Sequence, residues 1–204
     1  MNYDFPYRRN VRLDAYDYSQ RGRFFITLCC IQRKSLFGEI RNGVMCLNDF
    51  GRIAHETWEE TPSIRPNISL GAFTVMPNHF HGIIEIHSQS ELLKRKQAES
   101  DMVNRGFRSP SHNLGALIRG YKGSATKKVR EYIRDSEGEL EFFPITKSKD
   151  NASVPIHRSD LINTSESIWQ RNYFDQIIRD QESYDQISKY IIDNPVNRET
   201  DKFR

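Results

Sequence analysis

The sequence lacks the features that mark membrane-spanning, secreted and disulfide-stapled proteins. No apolar run approaches the roughly 20 residues that a membrane span needs. Residues 1–20 contain basic residues but no apolar stretch after a short charged start, so we expect no signal peptide. The three cysteines, Cys29, Cys30 and Cys46, are an odd number without CxxC spacing. They predict buried, reduced thiols in a cytoplasmic protein.

The remaining composition is that of an ordinary globular protein, with 37% hydrophobic and 28% charged residues in a chain of 204. That length suffices for one sizeable core or at most two small ones. The net charge is only +3, but residues 105–134 hold eight basic residues against one acid, Glu131. Such a stretch suits a polyanion such as nucleic acid, although a solvated helix face is the commoner explanation.

The first part of the chain predicts a strand, a hairpin and a helix. Residues 23–32 are rich in β-branched and aromatic side chains, as strands are. Within 36–48 the dipeptide Asn42-Gly43 lies between apolar residues and is typical of a tight hairpin turn. Asn48 is then a candidate N-cap for a helix that ends before Pro62.

The second part predicts two neighbouring strands, then helix, strand and helix. Residues 68–77 and 79–87 are strand-like and are joined through Pro77-Asn78, a connection so short that the strands must be antiparallel. An amphipathic helix is expected over about 112–135. The remaining elements are a strand over 167–179 and a helix over 180–195, stopped by Pro195.

This order predicts an α+β fold with a ferredoxin-like β-α-β-β-α-β core. Its sheet is antiparallel with helices mainly on one side, and an extra N-terminal hairpin and a C-terminal helix are added. We expect one domain over residues 1–204, with flexible insertions at 88–111 and 136–166, where the sequence is polar or irregular.

Two histidines open the strand at residue 79. Alternation along a strand places His79 and His81 on one face and Phe80 on the other, so both imidazoles could bind one cation. A lone His-x-His also occurs as an ordinary polar strand end. Because the cysteines are poorly placed to complete a closed site, an open catalytic metal site is the better interpretation of a bound metal.

Tyr190 and Asn194 lie four residues apart, on one face of the terminal helix. Asn194 could offer an amide oxygen to a cation beside the Tyr190 phenol, although core packing and helix termination explain these residues as well. Together with the two histidines and a basic helix, Tyr190 and Asn194 could support metal-assisted attack by tyrosine on a phosphodiester. Trp169 and Tyr173 share a strand face, and we expect both to serve packing.

Three stretches, "VMPNHFHGIIEI", "WQRNYFDQIIRD" and "YIIDNPVN", resemble the REP-associated tyrosine transposases. These are single-tyrosine members of the HUH superfamily, named for its His-hydrophobic-His motif, and the resemblance covers nearly the whole chain. It implies a ferredoxin-like fold and cleavage and rejoining of single-stranded DNA, with Mg²⁺ or Mn²⁺ as cofactor. His79, His81 and Asn194 match the metal ligands, and Tyr190 matches the nucleophile.

The resemblance further implies a 5′-phosphotyrosine intermediate with a free 3′-OH, and hairpin-forming repeats as the DNA partner. Related proteins include dimers, so a homodimer stays open. The basic helix supplies candidate DNA contacts at Arg119, Lys122, Lys127 and Lys128. Two other functions also fit the residues: a non-catalytic protein that binds single-stranded nucleic acid, and a metal-dependent phosphodiesterase that uses water.

Overall fold

The computed structural model describes residues 21–87, 113–135, 167–201 and 203. The predicted insertions at 88–111 and 136–166 lie outside the described residues. Single 3-10 turns cover Ile31–Arg33 and Arg198–Thr200. The other elements, in chain order, are β1 (Gly22–Cys29), β2 (Gly38–Arg41), β3 (Val44–Leu47), α1 (Asp49–Glu59), α2 (Thr61–Ile64), β4 (Ile68–Met76), β5 (His79–Ile86), α3 (Leu114–Asp135), β6 (Phe174–Ile178) and α4 (Gln181–Asp193).

Four of the strands form one sheet in the order β4-β5-β1-β6, and every neighbouring pair is antiparallel. The strands β2 and β3 form a separate hairpin between β1 and α1. Without that hairpin, the order of elements is β-α-β-β-α-β, followed by α4. The α+β, ferredoxin-like prediction is therefore confirmed, including the extra hairpin and the C-terminal helix.

Local signals account for the boundaries of the hairpin and of α1. Asn42 and Gly43 adopt left-handed φ angles of 51° and 76°, which the tight turn requires. The Asn48 side chain accepts a hydrogen bond from the Gly51 amide at 2.9 Å, as the predicted N-cap should. The short helix α2 was not predicted, since Pro62 reads as a terminator but here occupies the first turn, where proline is tolerated.

The strand predicted over 167–179 is wrong in its first half. Only Phe174–Ile178 pairs with β1, whereas Trp169 makes an isolated bridge with Cys30. The Trp169 ring is buried, with its centroid 5.0 Å from that of Phe37, and Tyr173 packs against the same core. Because the large indole is buried in the core, the segment before Phe174 does not continue the pairing with β1. The expected packing role of Trp169 and Tyr173 is confirmed.

The main hydrophobic core lies between one face of the sheet and the helices α1 and α3. Phe80 of β5, Trp58 of α1 and Tyr121 of α3 meet there, with Trp58 and Phe80 centroids 4.7 Å apart. The Tyr121 hydroxyl donates to the Ala54 carbonyl at 3.0 Å, which satisfies its polar end inside the core.

Helix α4 packs on the opposite face of the sheet. Ile191 of α4 forms a smaller buried cluster with Ile83 of β5 and Ile178 of β6. The sheet therefore has an apolar face under α1 and α3 and a second face under α4, which carries the site described below.

The cysteine prediction needs one correction. Cys29 and Cys30 are buried free thiols, but Cys46 is exposed, because it lies on the outlying hairpin rather than in the sheet. Among the described residues, no helix combines the length and the apolar character needed to span a membrane.

Candidate metal centre and adjacent tyrosine

Strand β5 places His79 and His81 on the face that α4 covers. Their side chains are almost completely buried, at 1% and 0% exposed. Phe80 between them points into the opposite core, as a repeat of two residues requires. Thr27 of β1 is the register partner of His81, so two adjacent strands contribute to one polar site.

Asp201, beyond the end of α4, completes a cluster with the two histidines. Its Oδ2 lies 3.0 Å from Nε2 of His79, and its Oδ1 lies 3.9 Å from Nε2 of His81. The two Nε2 atoms are 3.1 Å apart. The three residues are buried, and their ligand atoms all lie within 4.8 Å of one another, so they could hold a metal ion.

The outer ring nitrogens are held by neighbouring side chains. Nδ1 of His79 lies 2.7 Å from Oδ1 of Asn78, and Nδ1 of His81 lies 2.9 Å from the Thr27 hydroxyl. With Nδ1 of each ring donating outward, the lone pairs of both Nε2 atoms point into the cluster. Metal-binding histidines are oriented by this kind of outer hydrogen bond.

The protonation states also favour a cation. Burial lowers the pKa of His79 to about 4, with further lowering from the His81 and Arg33 charges against an opposing effect of Asp201. Burial likewise lowers the pKa of His81, so both imidazoles are neutral at pH 7. Burial raises the pKa of Asp201, but the contacts of its carboxylate with His79 and His81 outweigh burial and hold this pKa well below its usual range.

In the tautomer with both Nδ1 atoms protonated, an ionised carboxylate faces two unprotonated ring nitrogens. Oδ2 of Asp201 is buried and has no hydrogen-bond partner in the described part of the chain, although Nε2 of His79 is only 3.0 Å away. When the proton of His79 is on Nδ1, this short separation brings two electron pairs together, and a cation between the two atoms would stabilise the arrangement. Two imidazoles and one carboxylate suit Mn²⁺, Fe²⁺ or Zn²⁺ and leave coordination positions open.

Tyr190 of α4 lies at the edge of this cluster. Its hydroxyl donates to Oδ1 of Asp201 at 3.0 Å and lies 3.4 Å from Nε2 of His81. The side chain is 39% exposed, so the phenol faces both the cluster and solvent. Burial and the Asp201 charge raise the pKa of Tyr190, while a hydrogen bond from Asn194 opposes them. The phenol is therefore protonated at neutral pH.

Asn194 follows α4 and contacts the phenol. It is 1% exposed, and its Oδ1 has no hydrogen-bond partner among the residues that the structure describes. A buried acceptor without a donor is costly, so this oxygen is available to a ligand. Its role as a third metal ligand stays a prediction, since the carboxylate that joins both histidines belongs to Asp201.

Asp201 was not found from the sequence. It lies in "RETDKFR", beyond Pro195, where neither periodicity nor spacing relates it to the histidines. A 3-10 turn at Arg198–Thr200 precedes it and returns the chain to the site. The Phe203 ring then packs over the cluster, with its centroid 5.9 Å from that of His79 and 5.6 Å from that of His81.

The basic helix does not lie beside this site. Helix α3 packs against the apolar face of the sheet, whereas the histidines lie on the other face. Lys122 donates to the carbonyls of Gln170 and Asn172 at 2.7 and 2.8 Å, and burial lowers its pKa to about 8. Lys128 and Lys127 form ion pairs with acidic side chains, and Arg119 is exposed. The DNA contacts expected at these four residues stay predictions.

Comparison with known proteins shows the family of the chain, but the relative that shows it has no assigned function. No family model matches the sequence. An uncharacterised protein of Haemophilus influenzae is 33% identical over 196 residues, which are 96% of this chain and 92% of that protein. The chain belongs to the same family as this protein.

One solved structure is distantly similar to this chain. That structure is a REP-associated tyrosine transposase bound to a REP hairpin, with 16% identity and a TM-score of 0.49. The match covers 90% of this chain and 72% of the other.

Proposed function

We propose that the protein cleaves and rejoins single-stranded DNA through a covalent phosphotyrosine at Tyr190. A divalent cation, Mg²⁺ or Mn²⁺, would be held by His79, His81 and Asp201, with Asn194 as a further ligand. The observation that carries the proposal is the position of the Tyr190 hydroxyl, 3.0 Å from Asp201 and 3.4 Å from His81. The resemblance of the sequence motifs to tyrosine transposases supports the same reaction.

The site residues can divide the reaction between them. The Tyr190 oxygen attacks phosphorus, a P–O bond to the phenol forms, and the bond to the 3′ oxygen breaks. The products are a 5′-phosphotyrosine link and a free 3′-OH, with the phenol proton transferred overall to the leaving oxygen. The Asp201 carboxylate already accepts the phenol O–H and so holds this proton in place.

A bound cation would polarise the phosphate oxygens and favour loss of the phenol proton, whose removal burial and the Asp201 charge otherwise oppose. Rejoining reverses the reaction with another 3′-OH as the attacking group. The covalent link conserves the energy of the phosphodiester, which is the advantage of tyrosine over water as the nucleophile.

The remaining expectations are proposals of the same kind. We propose one transposase-like domain over residues 1–204, cytoplasmic location, and hairpin-forming single strands as substrate. A non-catalytic protein that stacks bases on its sheet is less well supported, because α1 and α3 cover one face of the sheet and α4 the other.

The test is incubation of the protein with labelled single-stranded hairpin DNA and Mn²⁺, followed by a denaturing gel. The wild type should give a covalent protein–DNA band. Tyr190→Phe should give none, since it removes only the attacking oxygen. The matched control is Tyr184→Phe, which changes another tyrosine of the same helix and should leave the band unchanged.

Each outcome distinguishes the candidate functions. Full adduct formation by Tyr190→Phe would reject this nucleophile. Cleavage to free ends without any adduct would favour a phosphodiesterase that uses water. Binding without cleavage of any hairpin strand, with Mg²⁺ as well as Mn²⁺, would favour the non-catalytic protein.

A further inference from the structure

An arginine lies beside the His79, His81 and Asp201 cluster, and no acidic side chain of the described residues pairs with it. Arg33 follows β1, and its Nη1 donates to the Phe203 carbonyl at 2.8 Å. Its guanidinium lies over the Phe203 ring, 5.2 Å from the centroid. Because the same ring packs against both His79 and His81, the guanidinium is fixed at the border of the cluster.

Several other arginines of the described chain form ion pairs with carboxylates. Ion pairs link Arg23 to Glu85, Arg41 to Glu39, and Arg52 to Asp49. Within the described ranges, Arg33 forms no such pair, although a guanidinium carries five N–H donors. Its charge thus stays uncompensated by any described side chain.

The backbone reaches this position in an unusual conformation. Gln32 and Arg33 have φ angles of 51° and 57°, in the left-handed region that residues other than glycine rarely adopt. Two such residues in succession are unfavourable in a connecting turn, and strain of this kind is often kept where a side chain must be held in place. The turn holds Arg33 at the site.

A positive charge is unexpected beside a cation site. The Arg33 charge acts on His79, so it would also weaken the binding of a metal ion there. An anion that contacts both the metal ion and the guanidinium would offset the repulsion between these two positive charges. A phosphate group suits both, because guanidinium donors match two phosphate oxygens and the metal binds oxygen as well.

We propose that Arg33 binds the phosphate that Tyr190 attacks, through its non-bridging oxygens. This inference rests on the proposed function, but its core is a phosphate subsite that can be measured without any reaction. Arg33 then orients the phosphodiester against the phenol and balances the charge that develops on its oxygens.

Phosphate binding provides a test that is independent of activity. The Mn²⁺-loaded protein is titrated with inorganic phosphate by calorimetry, for the wild type, Arg33→Ala, Arg33→Lys and the control Arg52→Ala. Loss of a charge-assisted bidentate contact should weaken phosphate binding about tenfold or more in Arg33→Ala. Arg33→Lys should have an intermediate phosphate affinity, because lysine retains the charge but not the paired N–H donors of the guanidinium. The phosphate affinity of Arg52→Ala should match that of the wild type.

A merely structural role of Arg33 is tested separately. Phe203→Ala removes the ring under the guanidinium but leaves Arg33, and should keep phosphate affinity within about threefold. If it weakens phosphate binding as much as Arg33→Ala, the arginine acts only by holding the C-terminal segment and the proposal is wrong. Mn²⁺ affinity without phosphate should be equal or higher in Arg33→Ala; a marked loss would also overturn the proposal.

Adduct formation separates this proposal from the proposed function. Arg33→Ala should slow adduct formation about 100-fold, the usual cost of one charge-stabilising donor. A wild-type adduct together with an unchanged Arg33→Ala rate rejects the arginine and leaves strand transfer standing. Arginine-dependent phosphate binding without any wild-type adduct keeps the subsite and rejects strand transfer.

Discussion

The two faces of β5 differ in what they contribute to the protein. On one face, Phe80 packs between Trp58 and Tyr121 in the main core. On the other, His79 and His81 meet Asp201 in a buried polar cluster. Both faces are almost fully buried, but among the described residues only the second has a carboxylate oxygen and an amide oxygen without hydrogen-bond partners, those of Asp201 and Asn194.

The difference shows that one face of β5 contributes to the stability of the fold and the other face to the candidate site. A repeat of two residues sends Phe80 into the core while it turns both imidazoles toward one point. The apolar face needs no partner other than α1 and α3. On the polar face, the ring nitrogens of the histidines and the carboxylate oxygens of Asp201 need a bound cation to satisfy their electron pairs. Four pairs of variants test this separation, in decreasing order of effect.

The apolar face should dominate stability. Phe80→Ala removes a fully buried ring and should lower the free energy of unfolding by about 3–5 kcal/mol, measured by urea denaturation. The exposed Val44→Ala is the control and should stay within about 0.5 kcal/mol of the wild type. A loss below about 1 kcal/mol in Phe80→Ala would mean that this face can collapse around the cavity.

The polar face should dominate cation binding. Asp201→Asn keeps the size of the side chain but removes the only described carboxylate of the cluster. Mn²⁺ affinity should fall on the order of 100-fold, measured by calorimetry or by electron paramagnetic resonance. Asp193→Asn, near the end of α4, is the matched control. Equal affinity in both variants would remove Asp201 from the metal centre.

The buried histidines should make stability depend on pH. Because the pKa of His79 is lowered from 6.5 to about 4, its unfolded form binds a proton as pH falls through 6.5 while the folded form does not. Stability should be full above pH 6.5 and decline between pH 6.5 and 4, by about 2–3 kcal/mol for this group.

The measurement is urea unfolding of the metal-free protein at pH 6.5 and 4.5. His79→Gln should lose less stability than the wild type over this interval, whereas the control His55→Gln, at a half-buried position on α1, should follow the wild type. An identical pH dependence in all three proteins would contradict a neutral, buried His79.

The smallest effect is expected from the outer hydrogen bond of His81. Thr27→Val preserves shape but removes the hydroxyl that lies 2.9 Å from Nδ1. Mn²⁺ affinity should fall about tenfold, with the fold retained in circular dichroism. Thr126→Val, on α3, is the control, since its hydroxyl bonds within its own helix. No difference between the two would show that the ring of His81 needs no such support.

Local signals in the sequence were enough to predict most of the fold. The turn at Asn42-Gly43, the cap at Asn48 and the short connection at Pro77-Asn78 each follow from the conformational preferences of a few residues. The strand over 167–179 could not be predicted correctly, because burial of Trp169 in the core overrides its strand-like pattern.

The site was predicted only where its residues lie on regular elements. The repeat of β5 places His79 and His81 together, and the helical spacing places Tyr190 beside Asn194. Asp201 lies in an irregular segment, and its position depends on tertiary contacts that no local pattern contains. The basic helix was expected beside the site but covers the other face of the sheet, since charge along a sequence does not reveal which face a helix covers. Its DNA contacts stay predictions.

The most direct test of the account is to find the residue that carries DNA after reaction with Mn²⁺. The protein is incubated with a single-stranded hairpin, digested with protease and nuclease, and the modified peptide is sequenced by mass spectrometry. We expect a 5′-phosphate ester on Tyr190, the phenol next to His81 and Asp201. Attachment to Tyr173, Tyr184 or any other residue would contradict it.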